Sequence, residues 1–214
     1  ITTKKTVKEI NFKDILFRPQ QIHRECINNF ESKYGDEMDL EFKKAYNLIN
    51  NNLNKFRTVK TENKYKALVL LSDGLTTLTL IFHSSLIGYG FENTALLRYY
   101  MENLGISYGI FSDKELYQRW KENPKNEYAN KFTKQGLNIL KKKHSDLTKL
   151  WGNFSQISHI DYNSTGTSFI SDKELTIGGS HTKDRDKIIN TNIQGAGLLL
   201  KLTVKIFNED FGLL

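Results

Sequence analysis

The sequence predicts an all-α protein, a single helical bundle of about six to eight helices with a small β-hairpin or loop near residues 165–179. Three observations predict this class. The 214 residues contain only two prolines, so long stretches lack strong helix breakers. Apolar residues recur every three or four positions, which is the period of an amphipathic helix. Neither an internal repeat nor a long linker divides the chain, so residues 1–214 are predicted to form one domain.

The sequence pattern predicts three helices in the N-terminal half of the chain. The first runs from about Phe12 to Lys33 and is divided by Pro19. Acidic residues between Tyr34 and Asp39 suit the start of a second helix, because carboxylates interact favourably with a helix N-terminus. The stretch from Ala67 to Phe91 is apolar nearly all round and predicts a central helix buried by several neighbours. Its charged and polar residues argue against a membrane span.

The next two helices have clearer signals. From about Glu92 to Phe111 an apolar stripe recurs at three- and four-residue steps. A short helix from Asp113 to Asn123 follows, with Asp113 as its predicted N-cap.

In the C-terminal half the sequence predicts one or two helices between Asn126 and Ser158, with an interruption near Gly136. The run Lys141 to His144 lies between two leucines and is interpreted as the solvated face of an amphipathic helix. The last helix spans about Thr182 to Phe211.

Composition limits the function classes. Lysine and arginine exceed acidic residues to give a net charge of +7 and a pI of about 9.3, which permits a polyanionic partner and fits solvated lysines equally well. The single cysteine, Cys26, excludes an internal disulfide, and no secretory leader is visible, so a cytoplasmic protein is expected. The histidines lack metal-site spacing, and no phosphate-loop, dinucleotide or hydrolase motif occurs. No metal or cofactor is therefore predicted.

Arg98 and Glu102 are the first candidate pair, because a four-residue step puts them on one helix face. The arginine is suited to bind phosphate or carboxylate, with Glu102 orienting it. In the alternative interpretation the two side chains form a structural clasp beside the apolar stripe.

Tyr117, Arg119 and Trp120 are a second candidate group. Aromatic rings beside an arginine suit contacts with nucleic-acid bases. The alternative is that the rings cap one end of the bundle.

The sequence WGNFSQISHID contains the third candidates. Trp151, Ser155 and His159 lie at four-residue steps and share one helix face. His159 is a candidate general acid or base, with Asp161 near enough in sequence to orient it. The alternative role of His159 is to cap the helix C-terminus.

Three motifs carry a resemblance to a known family: ALLRYYMEN, YQRWKEN and LWGNFSQISHID, in this order. With them the chain resembles a bacterial group of HEPN-like all-helical proteins of unassigned function. In that group a Leu-Leu-Arg-x-x-x-Glu helix precedes a helix that ends in Ser-x-x-(Ser/Val)-His. The resemblance covers roughly residues 67–162.

Active HEPN ribonucleases are metal-independent and often act as dimers in toxin or antiviral systems. Their signature is an arginine separated from the histidine by four to six residues. The corresponding window upstream of His159 contains Gly152, Asn153 and Phe154 and no arginine. Arg18 and His23 have the spacing, but Pro19 stands where the family has a polar residue. An active version would need its phosphate-binding arginine from elsewhere, and Arg98 is the leading candidate.

The resemblance therefore implies a protein of a bacterial defence or toxin-type system that binds RNA or nucleotide. If the protein is an enzyme, the resemblance implies that it cleaves RNA without metal. In this hypothesis His159 is the general acid or base, Arg98 binds phosphate, and Glu102 and Ser155 orient them. The alternative is a non-catalytic binding or homodimerisation module in which the same residues are structural. Neither hypothesis involves a membrane.

Overall fold

The computed structural model describes residues 35–59, 61–86, 89, 91–123, 129–158, 169–171, 174–175 and 183–213. Within these residues the chain forms seven helices and two short strands, so the predicted helical bundle is confirmed. The elements are α1 (Asp36–Thr58), α2 (Glu62–Leu86), α3 (Phe91–Ser112), α4 (Lys114–Lys121), α5 (Ala129–Lys143), α6 (Asp146–Ser158), β1 (Phe169–Ser171), β2 (Glu174–Leu175) and α7 (Lys183–Phe211). The two strands pair antiparallel inside the range predicted for the hairpin. The predicted helix from Phe12 to Lys33 lies outside the described residues.

The centre of the bundle is α3, which contacts α2, α4, α5, α6 and α7. Its apolar stripe is fully buried at Leu97, Met101 and Leu104. The predicted central helix, α2, instead has α1, α3 and α7 as its main neighbours. Two buried hydrogen bonds join α3 to α7, one between the Tyr100 and Thr203 hydroxyl groups and one from Thr94 to Asn192.

One stretch of the described residues, Glu62–Ser85 in α2, is long and apolar enough to cross a membrane, judged by length and composition alone. Of its most apolar window, 44% is buried inside the bundle. Core helices of soluble proteins have the same composition, so this stretch is weak evidence for a membrane protein.

Close packing of α3 on α5 depends on glycines from both helices. A Cβ atom at Gly136 would lie 2.5 Å from the carbonyl oxygen of Gly105, and one at Gly109 would lie 2.8 Å from the Cα atom of Gly136. The predicted interruption near Gly136 is therefore wrong: α5 continues through it, and the glycine allows the two backbones to approach. The chain breaks instead between α5 and α6, at His144 and Ser145.

The predicted start of α4 is confirmed. The Asp113 carboxylate accepts hydrogen bonds from the backbone N–H groups of Glu115 at 2.8 Å and Leu116 at 3.0 Å. These bonds satisfy two N–H groups that have no partner within the helix.

Candidate functional site

The predicted Arg98–Glu102 pair is present on α3. The Arg98 Nε atom lies 3.2 Å from Glu102 Oε1, and the two side chains are 32% and 30% exposed. The contact confirms that the two residues share one helix face. Because nearly a third of each side chain is exposed, the pair lies at the surface of the bundle, where a solvent-borne anion can reach it.

Trp151 of α6 brings a second cation to this position. The Arg98 guanidinium carbon lies 5.3 Å from the centroid of the Trp151 ring, and the Lys141 ammonium nitrogen lies 4.7 Å from the same centroid. Both distances are within the range of an attractive cation–π interaction. The contact also shows that the helix bearing Trp151 packs against the Arg98 helix.

Lys141 departs from the interpretation of Lys141 to His144 as a solvated face. It is only partly exposed, and burial lowers the pKa of its ammonium group. Within the described residues its recorded partner is the Trp151 ring, and no carboxylate pairs with it. Sequence periodicity missed this residue because a long side chain can bend from the outer face of a helix toward a neighbouring ring.

The end of the same run takes part in a different cluster, centred on Asp210 of α7. Asp210 Oδ2 accepts a hydrogen bond from the Tyr108 hydroxyl at 2.7 Å and lies 2.8 Å from His144 Nε2. Its Oδ1 atom lies 2.8 Å from Lys143 Nζ, and the carboxylate is only 7% exposed. The carboxylate therefore joins α3, α5 and α7 through three donors.

Burial by itself would raise the pKa of Asp210, but hydrogen bonds from Lys143, Tyr108 and His144 lower it to about 2. Burial and the same carboxylate raise the pKa of Tyr108. At neutral pH the cluster thus contains an ionised aspartate and a neutral tyrosine. The sequence carries no local signal for the Asp210 cluster, because the partner His144 is 66 positions away and neither residue belongs to a motif.

The second predicted group, on α4, lies apart from Arg98. The side chain of Leu116 approaches Gly109, which is roughly 16 Å along the α3 axis from Arg98 at a rise of 1.5 Å per residue. Tyr117 is buried at 3% exposure and Trp120 packs against the core, whereas Arg119 is exposed. This arrangement favours the alternative interpretation, in which the rings cap the bundle.

Tyr117 also borders a pocket of about 240 Å³ at the start of α2. Burial and a hydrogen bond to Glu62 raise the pKa of Tyr117 to about 12, so the phenol stays neutral. Lys121 forms an ion pair with the same Glu62 at 2.8 Å. Neither Arg119 nor Trp120 lines the pocket, so this polar recess does not unite the second group.

The third group is only partly visible. Ser155 belongs to α6, but its side chain is outside the described part of the chain, and so is His159. Among the described residues, histidine, cysteine and carboxylate side chains form no group of three that could hold a metal ion. The described candidate site therefore consists of Arg98, Glu102, Lys141 and Trp151.

Comparison with known proteins adds no relative. No family model, no curated protein and no solved structure matches the chain. The HEPN-like resemblance stays a prediction.

Proposed function

We propose that this protein binds RNA or a nucleotide through phosphate groups held between Arg98 and Lys141, beside the Trp151 ring. The observation that carries the proposal is the meeting of these two cations on one ring. Like charges repel, and the one carboxylate at the site, that of Glu102, pairs with Arg98, so Lys141 is partly desolvated without a carboxylate partner among the described residues. A phosphate would relieve both costs, because its oxygens can accept hydrogen bonds from the guanidinium and the ammonium group together.

The charge distribution supports a polyanionic ligand. Residues 129–158, which form α5, α6 and the turn between them, contain six lysines and one aspartate. By contrast, α1 contains four acidic and four basic residues. A basic region of this kind binds nucleic acid chiefly by releasing counterions from the phosphates. Its concentration on two adjacent helices distinguishes it from a uniform scatter of solvated lysines.

The aromatic ring supports single-stranded RNA over duplex RNA. Bases in single strands can unstack and pack against tryptophan, whereas duplex bases are covered by their neighbours. Trp151 is partly exposed at the centre of the cation cluster. In the free protein the cations cover its ring, and a bound phosphate would draw them toward its own oxygens.

A binding experiment tests this proposal. Arg98→Ala and Lys141→Ala should each weaken binding of a fluorescent single-stranded RNA roughly tenfold or more, since a hydrogen bond to a charged group contributes about 1.5–3 kcal/mol. Each should also reduce the slope of log affinity against log salt by about 0.7. Glu102→Gln should strengthen binding, because it removes a negative charge beside the phosphates.

Lys55→Ala provides the matched control, because it removes one exposed positive charge from α1. Equal losses from Lys55→Ala and Lys141→Ala would show only nonspecific attraction and would reject the site. A protein that binds no RNA but dimerises in light scattering would instead favour the non-catalytic dimerisation module.

The proposal includes RNA cleavage in a cytoplasmic bacterial defence or toxin-type system, with His159 as general acid or base and Ser155 as an orienting residue. The arginine signature upstream of His159 is incomplete, and Arg98 would replace it as the phosphate-binding group. Cleavage should proceed without metal and should be lost in His159→Ala and Arg98→Ala. Equal cleavage by the wild type and both variants would reject these roles.

A further inference from the structure

A histidine held by a buried carboxylate follows Lys141 of the proposed phosphate-binding site by one helical turn. His144 follows Lys141 by three positions, and residues at this spacing are neighbours on a helix surface, about 5–6 Å apart at their Cβ atoms. Lys141 contacts the Trp151 ring, while His144 contacts Asp210. The end of α5 therefore carries both a cation of the proposed site and an imidazole, and the Tyr108 ring that contacts the imidazole lies about 15 Å along the α3 axis from Arg98. A bound RNA strand must extend from Arg98 and Lys141 along this surface to reach His144.

We propose that His144 is a general base for RNA cleavage and that Asp210 is its positioning residue. The inference rests on the proposed function, since it requires an RNA phosphate near Arg98 and Lys141. It assigns the base to a histidine whose surroundings are described, as the alternative to His159 in that role.

The Asp210 contact determines which imidazole nitrogen can act as the base. An ionised carboxylate only accepts hydrogen bonds, so the 2.8 Å contact requires a proton on His144 Nε2. The neutral ring must then carry its lone pair on Nδ1. No described residue forms a hydrogen bond with Nδ1, and the side chain of His144 is 20% exposed. The nitrogen with the lone pair is thus the one without a hydrogen-bond partner among the described residues, and the inference assigns it to the substrate hydroxyl.

Charged and aromatic neighbours keep the imidazole in this orientation. The Tyr108 ring from α3 lies 6.0 Å from the His144 ring at 90°, and its hydroxyl donates to the same Asp210 oxygen. Lys143 of α5 contacts the other carboxylate oxygen. Because Asp210 of α7 is held by three donors, its position stays constant while His144 gains or loses a proton.

The chemical step requires no metal or added cofactor. The 2′-oxygen of a ribose forms a bond to the adjacent phosphorus, and the bond from phosphorus to the 5′-oxygen of the next nucleotide breaks. His144 Nδ1 takes the proton of the 2′-hydroxyl, and the departing 5′-oxygen takes a proton from water. The resulting hydroxide then removes the proton from His144. The products are a 2′,3′-cyclic phosphate and a free 5′-hydroxyl, and DNA of the same sequence cannot react.

His144→Gln is the principal test, because an amide N–H can still donate to Asp210 but the side chain cannot act as a base. In EDTA, wild-type protein should cleave a short single-stranded RNA and leave a cyclic phosphate detectable by mass spectrometry. The variant should cleave at least about a hundredfold more slowly, since general-base catalysis contributes about 10²–10⁴-fold. Its RNA binding and thermal midpoint should stay close to those of the wild type.

Asp210→Glu tests the positioning role. It keeps a carboxylate and should retain partial activity with an altered pH–rate profile, whereas Asp210→Asn should lose most of the activity. Tyr108→Phe gives a milder variant that should fold even if Asp210→Asn does not, and it should lower the cleavage rate without weakening RNA binding.

The outcomes separate this inference from the proposed function. If RNA binds at Arg98 and Lys141 but wild-type protein does not cleave it, or if His144→Gln cleaves at the wild-type rate, the inference is overturned and the binding function stands. A loss of cleavage in His159→Ala alone would assign the base to His159. Absence of RNA binding in the wild type would overturn both proposals.

Discussion

Lys141 and Lys143 lie two positions apart in the last turn of α5, yet their ammonium groups have different surroundings. Lys143 pairs with the buried carboxylate of Asp210, and its own side chain is 55% exposed. Lys141 is less exposed and lies over the Trp151 ring, where burial lowers the pKa of the ammonium group. One lysine is neutralised by the protein, whereas the other retains a positive charge that the described residues do not neutralise.

The difference shows how one helix end can serve both structure and ligand binding. The Asp210 cluster attaches α5 to α3 and α7 through groups that satisfy one another, so it is expected to contribute to stability. The cation cluster at Trp151 contributes less, because cation–π interactions near the surface are weak. A site that keeps one ammonium group without a carboxylate among the described residues is less favourable in the free protein and correspondingly better suited to an anion.

Gly136→Ala should have the largest effect, because it would disturb both clusters by moving α5. Its Cβ would approach backbone atoms of Gly105 and Ile106, which cannot rotate away as a flexible side chain would. We expect the free energy of unfolding to fall by about 2–3 kcal/mol, the upper part of the usual range of about 1–3 kcal/mol for overpacking. Urea denaturation measures the change.

The control for this substitution is Gly152→Ala in α6, where no atom lies within 4 Å of the added methyl group. Alanine favours a helix over glycine by up to about 1 kcal/mol, so this variant should be more stable than the wild type. Equal effects at the two glycines would contradict the close contact between α3 and α5.

These glycines also show what the sequence could predict. The apolar spacing of α3, the Asp113 cap and the Arg98–Glu102 pair depend on residues a few positions apart, and all three were predicted. Gly136 was not, because a glycine that ends a helix and one that admits a neighbouring backbone look alike in one sequence. Telling them apart requires knowing which helix packs there.

The candidate site was predictable to a similar extent. A four-residue step was enough to place Arg98 with Glu102 on one helix face. Lys141 and Asp210 were missed because their environment is created by other helices. Burial of a lysine beside a distant tryptophan, or a histidine paired with a carboxylate 66 positions away, has no local signature.

Asp210→Asn should have the next largest effect. It is expected to lower the free energy of unfolding by about 2 kcal/mol, because Tyr108, His144 and Lys143 lose a charged acceptor. The effect should depend on pH. The pKa of Asp210 is lowered from 3.8 to about 2 on folding, so its stabilising contribution is complete above pH 3.8 and is lost as the pH falls through 2. The difference between wild type and variant should therefore shrink between those values.

Urea denaturation across this pH range checks the expectation, with Glu209→Gln as the neighbouring control. Glu209 is exposed and lies 4.0 Å from Lys205, so its neutralisation should change stability little. A difference between wild type and Asp210→Asn that stays constant down to pH 2 would mean that the carboxylate is not preferentially ionised in the folded state.

The smallest expected effect concerns the cation cluster itself. A double-mutant cycle with Lys141→Met and Trp151→Leu isolates their interaction, which should be about 0.5–1 kcal/mol for a partly exposed cation–π pair. The matched cycle replaces Lys142, the exposed lysine between the two compared residues, and should give no coupling to Trp151. Adding RNA should then reduce the Lys141–Trp151 coupling, because phosphate competes with the ring for the ammonium group. Coupling that is unchanged by saturating RNA would mean that Lys141 stays on the ring and that the phosphate is bound by other groups.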